Sequence, residues 1–344
     1  MGNLTLPWRI PCLGRRLLRS ADPPPGRILV SDAVRLVDVS KTFGTHRAVR
    51  GLSLDVPRGR IHGFIGPNGS GKTTSLRMIL HILLPDSGTV EVLGETGTRA
   101  ASDRIGYLPE ERGLYKKMKV LDLLVYYGAL KSMARAAARR AGREWLGRLG
   151  LGDWADKKVE TLSKGMAQKV QFIATVLHAP ELLILDEPFS GLDPVNLQAL
   201  RDAILELNRG GTTVLFSTHD MAMAEKMCDH LCMIFRGEKV LDGTLESIQE
   251  RYGNDTVRLR AERARETLAG HPAVDAILDM GRWQEVRLRR GGDPQALLAT
   301  LAARTTVHHF EVARPSLHDI FVRIAGPEAL AEATKDGAAA GSPR

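Results

Sequence analysis

From Ser31 onward, apolar and polar positions fall into short bursts with two different periods. VRLVDVS and LSLDV repeat every second residue, as strands with one wet face do. RIHGFI is a short buried strand running into a glycine-rich loop. A helical apolar period follows from Thr73 to Leu84. From Gly113 to about Thr161 the strand signals stop, and VLDLLVYYGALKSMARAAARRAGREWLGRL is rich in alanine and leucine and reads as helix. Strand LLILD, helix VNLQALRDAILELN, strand TTVLFS, helix MAMAEKMCD and strand LCMIF then alternate. That alternation predicts an α/β fold: a mostly parallel sheet covered on both faces, with an all-helical subdomain inserted at about 113–170.

Past Tyr252 the pattern changes again. TVRLR, EVRLR and TTVHHFEV read as strands, ETLAGHP and PQALLATLAAR as helical pieces, and SLHDIFVRI as a last helix. Ser316 and Asp319 stand at the spacing of a capping box for that helix. The expected division is an α/β domain over 31–252 and a small α+β domain over 253–325. Residues 1–30 are basic and proline-rich and read as an arm outside the fold or a misassigned start, with attachment to a membrane surface as the other reading. The low-complexity tail over 326–344 reads as disordered.

Composition narrows the classes. No apolar run approaches the ~18–20 residues needed to cross a bilayer, and the N-terminal stretch lacks the apolar segment of a signal peptide. Three cysteines in 344 residues point to a reducing compartment and away from a disulfide framework. A formal charge of +8 favours anionic partners without choosing one.

The strongest chemistry lies in GPNGSGKTT, residues Gly66, Pro67, Asn68, Gly69, Ser70, Gly71, Lys72, Thr73 and Thr74. It fits the phosphate-loop pattern and sits where that pattern has meaning, between a strand and a helix. Glycines let backbone N–H groups curl around phosphate oxygens, and the helix start adds its positive end. Lys72 is expected to neutralise the terminal phosphates and Thr73 to ligate Mg²⁺. Asp186, at the end of LLILD, suits the same metal, and Glu187 beside it could orient or deprotonate a water. His219, at the tip of TTVLFST, is the expected contact to the γ-phosphate.

A second helix start, LSKGMAQKVQ, is not required by that machinery. Taken with GPNGSGKTT, LLILDEP, SGLD and STHD in this order, it makes the chain over roughly 31–252 resemble the ATP-binding subunits of ATP-binding cassette (ABC) transporters. The resemblance implies a P-loop NTPase core that binds ATP and Mg²⁺ and pairs head to tail with a second ATP-binding subunit, identical or homologous. In such a pair Ser163, Lys164, Gly165 and Met166, with Asp193 of SGLD, would meet the nucleotide held by the other subunit. Phe43 would stack on adenine, and Glu110 in YLPEERGLY would stand near the metal and the attacking water. The resemblance also implies a membrane permease docked between the helical insertion and the sheet near Glu110, hence a place on the inner face of the cell membrane. It is nearest to the sodium-extrusion and drug-efflux exporters, and no nucleic acid is expected. The other reading is a soluble ATPase of the same family acting on ribosomes or nucleic acid. Two departures stand out: LSKGM has Lys164 and Met166 where a second glycine and a glutamine are usual, and Glu110 replaces a glutamine. The CDHLC run (Cys228, His230, Cys232) straddles a helix end and a strand, so its side chains are not expected to converge on a metal.

Overall fold

The computed structural model describes residues 32–96, 102–111, 113–253, 256–279, 281–289 and 291–326. The arm over 1–30 and the tail beyond 326 lie outside the described residues.

The centre is a six-stranded sheet in the order β5-β6-β7-β3-β8-β9. These strands are β3 (Ile61–Ile65), β5 (Ile105–Leu108), β6 (Leu182–Asp186), β7 (Thr213–Thr218), β8 (His230–Phe235) and β9 (Glu238–Gly243). All pairs are parallel except β8–β9, which forms a hairpin at the edge. The continuous apolar runs of β3, β6 and β7 follow from burial on both faces. A second sheet, order β2-β1-β4, is antiparallel and built from β1 (Asp32–Phe43), β2 (His46–Pro57) and β4 (Ser87–Val92). Its inward residues Val34, Leu36, Leu54 and Val90 pack with Phe64, Ile184 and Leu215 on one face of the central sheet. Helix α1 (Lys72–Ile79) joins this layer through Leu76 and Met78.

The other face carries the helical insertion. Helices α2 (Val120–Leu130), α3 (Arg135–Arg148) and α4 (Lys164–Val176) pack with α5 (Pro194–Arg209) over Leu183, Leu185, Val214 and Phe216. Trp145 meets Phe172 edge-on with ring centroids 6.1 Å apart, locking α3 to α4. Helices α6 (Met221–Met227) and α7 (Leu245–Tyr252) flank the β8–β9 edge.

Beyond Tyr252, β10 (Thr256–Ala261), β11 (Val274–Asp279), β12 (Gln284–Leu288) and β13 (Val307–Ala313) form an antiparallel sheet in the order β11-β12-β10-β13. Helices α8 (Ala264–Leu268) and α9 (Pro294–Arg304) cover one face through Leu268, Leu297 and Leu301. The last helix, α10 (317–326), packs elsewhere: Leu317, Ile320 and Phe321 lie against Ile65, Leu231, Met233 and Ile248 of the central fold. Its start is a true capping box, Ser316 Oγ accepting from the Asp319 N–H at 3.1 Å and Asp319 accepting from the Ser316 N–H at 2.9 Å.

Several elements depart from the sequence reading, which did not assign β4, β5, β9 or α7. The helix expected over Thr73–Leu84 ends at Ile79. His81 takes φ 53°, which breaks the helical path; Leu80 and Leu83 still pack on the core, while Ile82 and Leu84 are each 64 % exposed. Pro85 also disfavours a helical conformation at the residue before it. Strand β11 carried no clear sequence signal, because as an edge strand it buries little on either face.

Candidate active site

Strand β3 ends at Ile65, and the chain turns at once through the glycine-rich loop into α1. The turn needs glycine at its two ends. Gly66 has φ 154°, and a Cβ there would lie 2.2 Å from the Ile234 carbonyl oxygen. Gly71, the cap of α1, has φ 106°, and a Cβ there would lie 2.4 Å from the Ala48 carbonyl oxygen. No side chain caps α1, which leaves its first N–H groups available to an anion.

Lys72 folds back over the loop, its Nζ donating to the carbonyls of Gly66 at 2.7 Å and Pro67 at 3.0 Å. The side chain is only 6 % exposed. Burial lowers its pKa from the usual lysine value, while the negative charges of Glu187, Asp186 and Glu110 oppose that shift. Ser70 supports the loop from behind, its carbonyl accepting from the Gly237 N–H at 3.0 Å.

Strands β6 and β7 bring up the acids. Asp186 is buried; Oδ1 accepts from Ser217, while Oδ2 has no partner among the described residues. A buried carboxylate oxygen left unpaired at the mouth of a phosphate loop suits a bound cation, so the donor set fits Mg²⁺. Glu187 sits in the left-handed region at φ 48°, a costly conformation for a side chain of this size. It is held there by its N–H to the Ser217 carbonyl (3.1 Å) and by its carboxylate. Oε1 accepts from the His219 N–H at 2.9 Å and pairs with the His219 ring Nδ1 at 2.8 Å; Oε2 accepts from Thr218 at 3.2 Å. That hydrogen bond raises the His219 pKa, with partial burial acting against it.

Phe43, Asn68, Gly69, Gly71, Lys72, Thr73, Thr74, Glu110, Asp186 and Glu187 line one cavity of about 320 Å³. Gly66, Pro67 and Ser70 do not line it; they hold the loop in place through the bonds above. His219 lies behind Glu187. His46 and Ala48 also line the cavity and were not anticipated; the signal was the tight turn of TFGTHRA, which sets the start of β2 beside Phe43.

Ser163, Lys164, Gly165, Met166 and Asp193 do not line that cavity. Ser163 caps α4, accepting from the Met166 N–H at 3.3 Å, and is exposed. Asp193 caps α5, accepting from the N–H groups of Val195 at 3.1 Å and Asn196 at 3.0 Å. The two helix starts touch: a Cβ on Gly165 would meet Asn196 at 2.7 Å, and one on Gly191 would meet Lys164 Nζ at 2.7 Å. Helix α4 is tied to the cavity by glutamines that sequence reasoning passed over. Gln168 donates to the Pro188 carbonyl at 3.2 Å and Gln171 to the Glu111 carbonyl at 3.2 Å. In the CDHLC run, the Cys228 Sγ lies against Gly63, on the face opposite the one that carries Cys232, so the cysteines do not converge.

The family described as "ABC transporter" matches residues 49–190, and the family "ATP-binding protein DrrA1-3-like, C-terminal domain" matches residues 243–325. The uncharacterised ABC transporter ATP-binding protein YhaQ of Bacillus subtilis is 43 % identical over 84 % of this chain and 97 % of its own length. The Nod factor export ATP-binding protein I of Burkholderia lata is 34 % identical over 85 % of this chain and 96 % of its own. A solved ATP-binding subunit of an ABC transporter superposes with a TM-score of 0.60 at 29 % identity, covering 64 % of this chain and 93 % of that one. At 43 % identity over most of the length of both chains, the chain belongs to the ABC transporter ATP-binding proteins, as an ATP-binding and ATP-hydrolysing subunit.

Proposed function

We propose that two copies of this subunit, or one copy and a homologue, close around two MgATP and drive a membrane permease of an exporter. The observation that carries the reading is the outward-facing helix start at Ser163, a capped positive end that its own nucleotide cavity does not use. A second subunit placed head to tail would bring that end to the γ-phosphate held by Lys72. ATP then acts as the adhesive between subunits, and hydrolysis removes the contact that keeps them closed.

Within one site, the backbone of 66–74 cradles the phosphates, Lys72 turns from the loop carbonyls toward the β- and γ-oxygens, and Phe43 offers its half-exposed ring to adenine. Thr73, Asp186 and Glu110 would hold Mg²⁺, which when bound offsets phosphate charge. Glu187 orients or deprotonates the attacking water once its carboxylate is released from His219, and His219 moves to the γ-phosphate.

The export assignment rests on the relatives: one is named for Nod factor export, and the C-terminal region resembles a DrrA-like domain. Among the described residues no helix is long and apolar enough to cross a membrane, and the permease is taken from the family to which the chain belongs. The dock we assign is a groove of about 330 Å³ between β5 and the insertion, lined by Tyr107, Pro109, Leu114, Tyr127, Leu130 and Gln171.

Mixing tests the pairing. A Lys72→Ala chain and a Ser163→Arg chain are each expected to be nearly inactive. Combined, they form one intact composite site and recover a substantial part of the ATPase rate. No recovery in a mixture shown to contain the mixed dimer would overturn the trans arrangement. Co-purification of the full chain with a multi-spanning membrane protein tests the export reading; RNA-stimulated ATPase without such a partner would refute it.

A further inference from the structure

We propose that His62, His230 and Asp242 form a binding site for a divalent transition metal of zinc's class, at the end of the sheet away from the nucleotide. His62 on β3 and His230 on β8 are register partners, and Asp242 on β9 is the register partner of Cys232. The two-residue period therefore places all three side chains on one face of three adjacent strands. One ligating atom from each lies within 4.8 Å of the others.

Two observations set this cluster apart from an incidental one. His62 is fully buried, yet among the described residues neither ring nitrogen has a hydrogen-bond partner. Buried imidazoles are ordinarily satisfied, and an unpaired donor and acceptor at this depth is costly. The unpaired ring also stacks on His230, with centroids 4.8 Å apart, and His230 Nε2 is bonded to Asp242 Oδ1 at 2.8 Å. Two imidazoles and a carboxylate are a donor set that zinc-class ions favour over magnesium or calcium.

Burial and the neighbouring His230 push His62 down to about 3, so its ring is uncharged near neutrality. Burial works to raise Asp242, but hydrogen bonds from His230 and Lys239 hold it down at about 2. Lys239 is the competitor: its Nζ sits 2.6 Å from Asp242 Oδ2 and must swing out for a cation to enter. Its side chain is about one-third exposed, as are those of His230 and Asp242, which gives the ion a route from solvent. Tetrahedral zinc holds its ligand atoms about 3.3 Å apart, so modest side-chain turns must close the cluster.

Such a site would pin the β8–β9 hairpin to β3. The turn of that hairpin donates the Gly237 N–H to Ser70 and accepts from the Arg50 N–H at 2.9 Å, so the metal would brace the element behind the phosphate loop.

The test uses the nucleotide-free full chain with Zn²⁺ followed by calorimetry, and Co²⁺ followed by visible absorption. The expected result is uptake of about one equivalent of Zn²⁺ and the intense cobalt bands of a low-coordinate site with imidazole ligands. Both signals should vanish in His62→Phe, an apolar replacement whose integrity is certified by retained ATP binding. They should weaken about tenfold or more in Asp242→Asn, and persist in Asp186→Asn, which removes the acid of the nucleotide site. His230→Asn, at a partly exposed position, gives the same reading if His62→Phe does not fold. No stoichiometric uptake by the unmodified chain, or undiminished uptake by the His62 and His230 variants, would overturn the assignment.

Discussion

Two helix starts in this chain are proposed to meet phosphate, and they are built in opposite ways. At α1 the cap is a left-handed glycine with no side chain to compete for the N–H groups, and the loop before it walls a cavity. At α4 the cap is a serine whose Oγ satisfies the Met166 N–H, and the end faces outward. The first is a site that can hold polyphosphate by itself. The second is stable without a ligand and adds selectivity only when something is brought to it. In the proposed pair, binding and triggering would thus lie at separate places on the surface of one subunit.

The largest effect that separates the two ends is expected from Lys72→Ala. Removing the cation should lower ATP turnover roughly a hundredfold or more in steady-state assays; an unchanged rate would break the comparison at its first member. Glu187→Gln should reduce turnover by a similar factor, about a hundredfold, yet leave ATP binding intact. With Mg²⁺ and ATP it should run as a dimer on size exclusion, and a monomer under those conditions would count against the closed pair. Ser163→Ala is the sharper probe of the second end. It should leave ATP affinity of the isolated subunit unchanged, lower turnover about tenfold, and cost about 1 kcal/mol of stability through the lost cap. Weakened nucleotide binding in the monomer would mean that α4 serves its own cavity.

The smallest effect concerns His219. Its pKa is raised in the fold by the bond to Glu187, so the stabilisation is complete below the ordinary histidine pKa and is lost as pH climbs through the raised value. In nucleotide-free denaturation, the stability difference between the unmodified chain and His219→Gln should shrink as pH rises above the ordinary histidine range. A difference that grows over that range would contradict the ion pair.

The sequence made the first helix start legible and left the second half-written. GPNGSGKTT between a strand and a helix carries its own geometry, since Gly66 and Gly71 are demanded by carbonyls that would collide with any Cβ. Asp186, Glu187 and His219 were readable because each stands at the end of a buried apolar strand. What escaped was set by tertiary packing. The apolar run after Ile79 looks helical, but Leu80 and Leu83 pack on the core from an irregular turn while Ile82 and Leu84 stay exposed, and His46 joins the cavity only through a turn. His62 reads as one more buried strand residue until its register partner on β8 is known. Gln168 and Gln171 lie on an ordinary helical face, and only the carbonyls they reach give them meaning.

The position of α10 bears on how the molecule is made. Ile65, the residue just before the phosphate loop, shares its apolar cluster with Leu317, Ile320 and Phe321, more than 250 positions further along the chain. A ribosome therefore releases the catalytic strand long before it releases the lid of that cluster. Until then the nascent cassette carries an open greasy seam, which is a natural handle for chaperones.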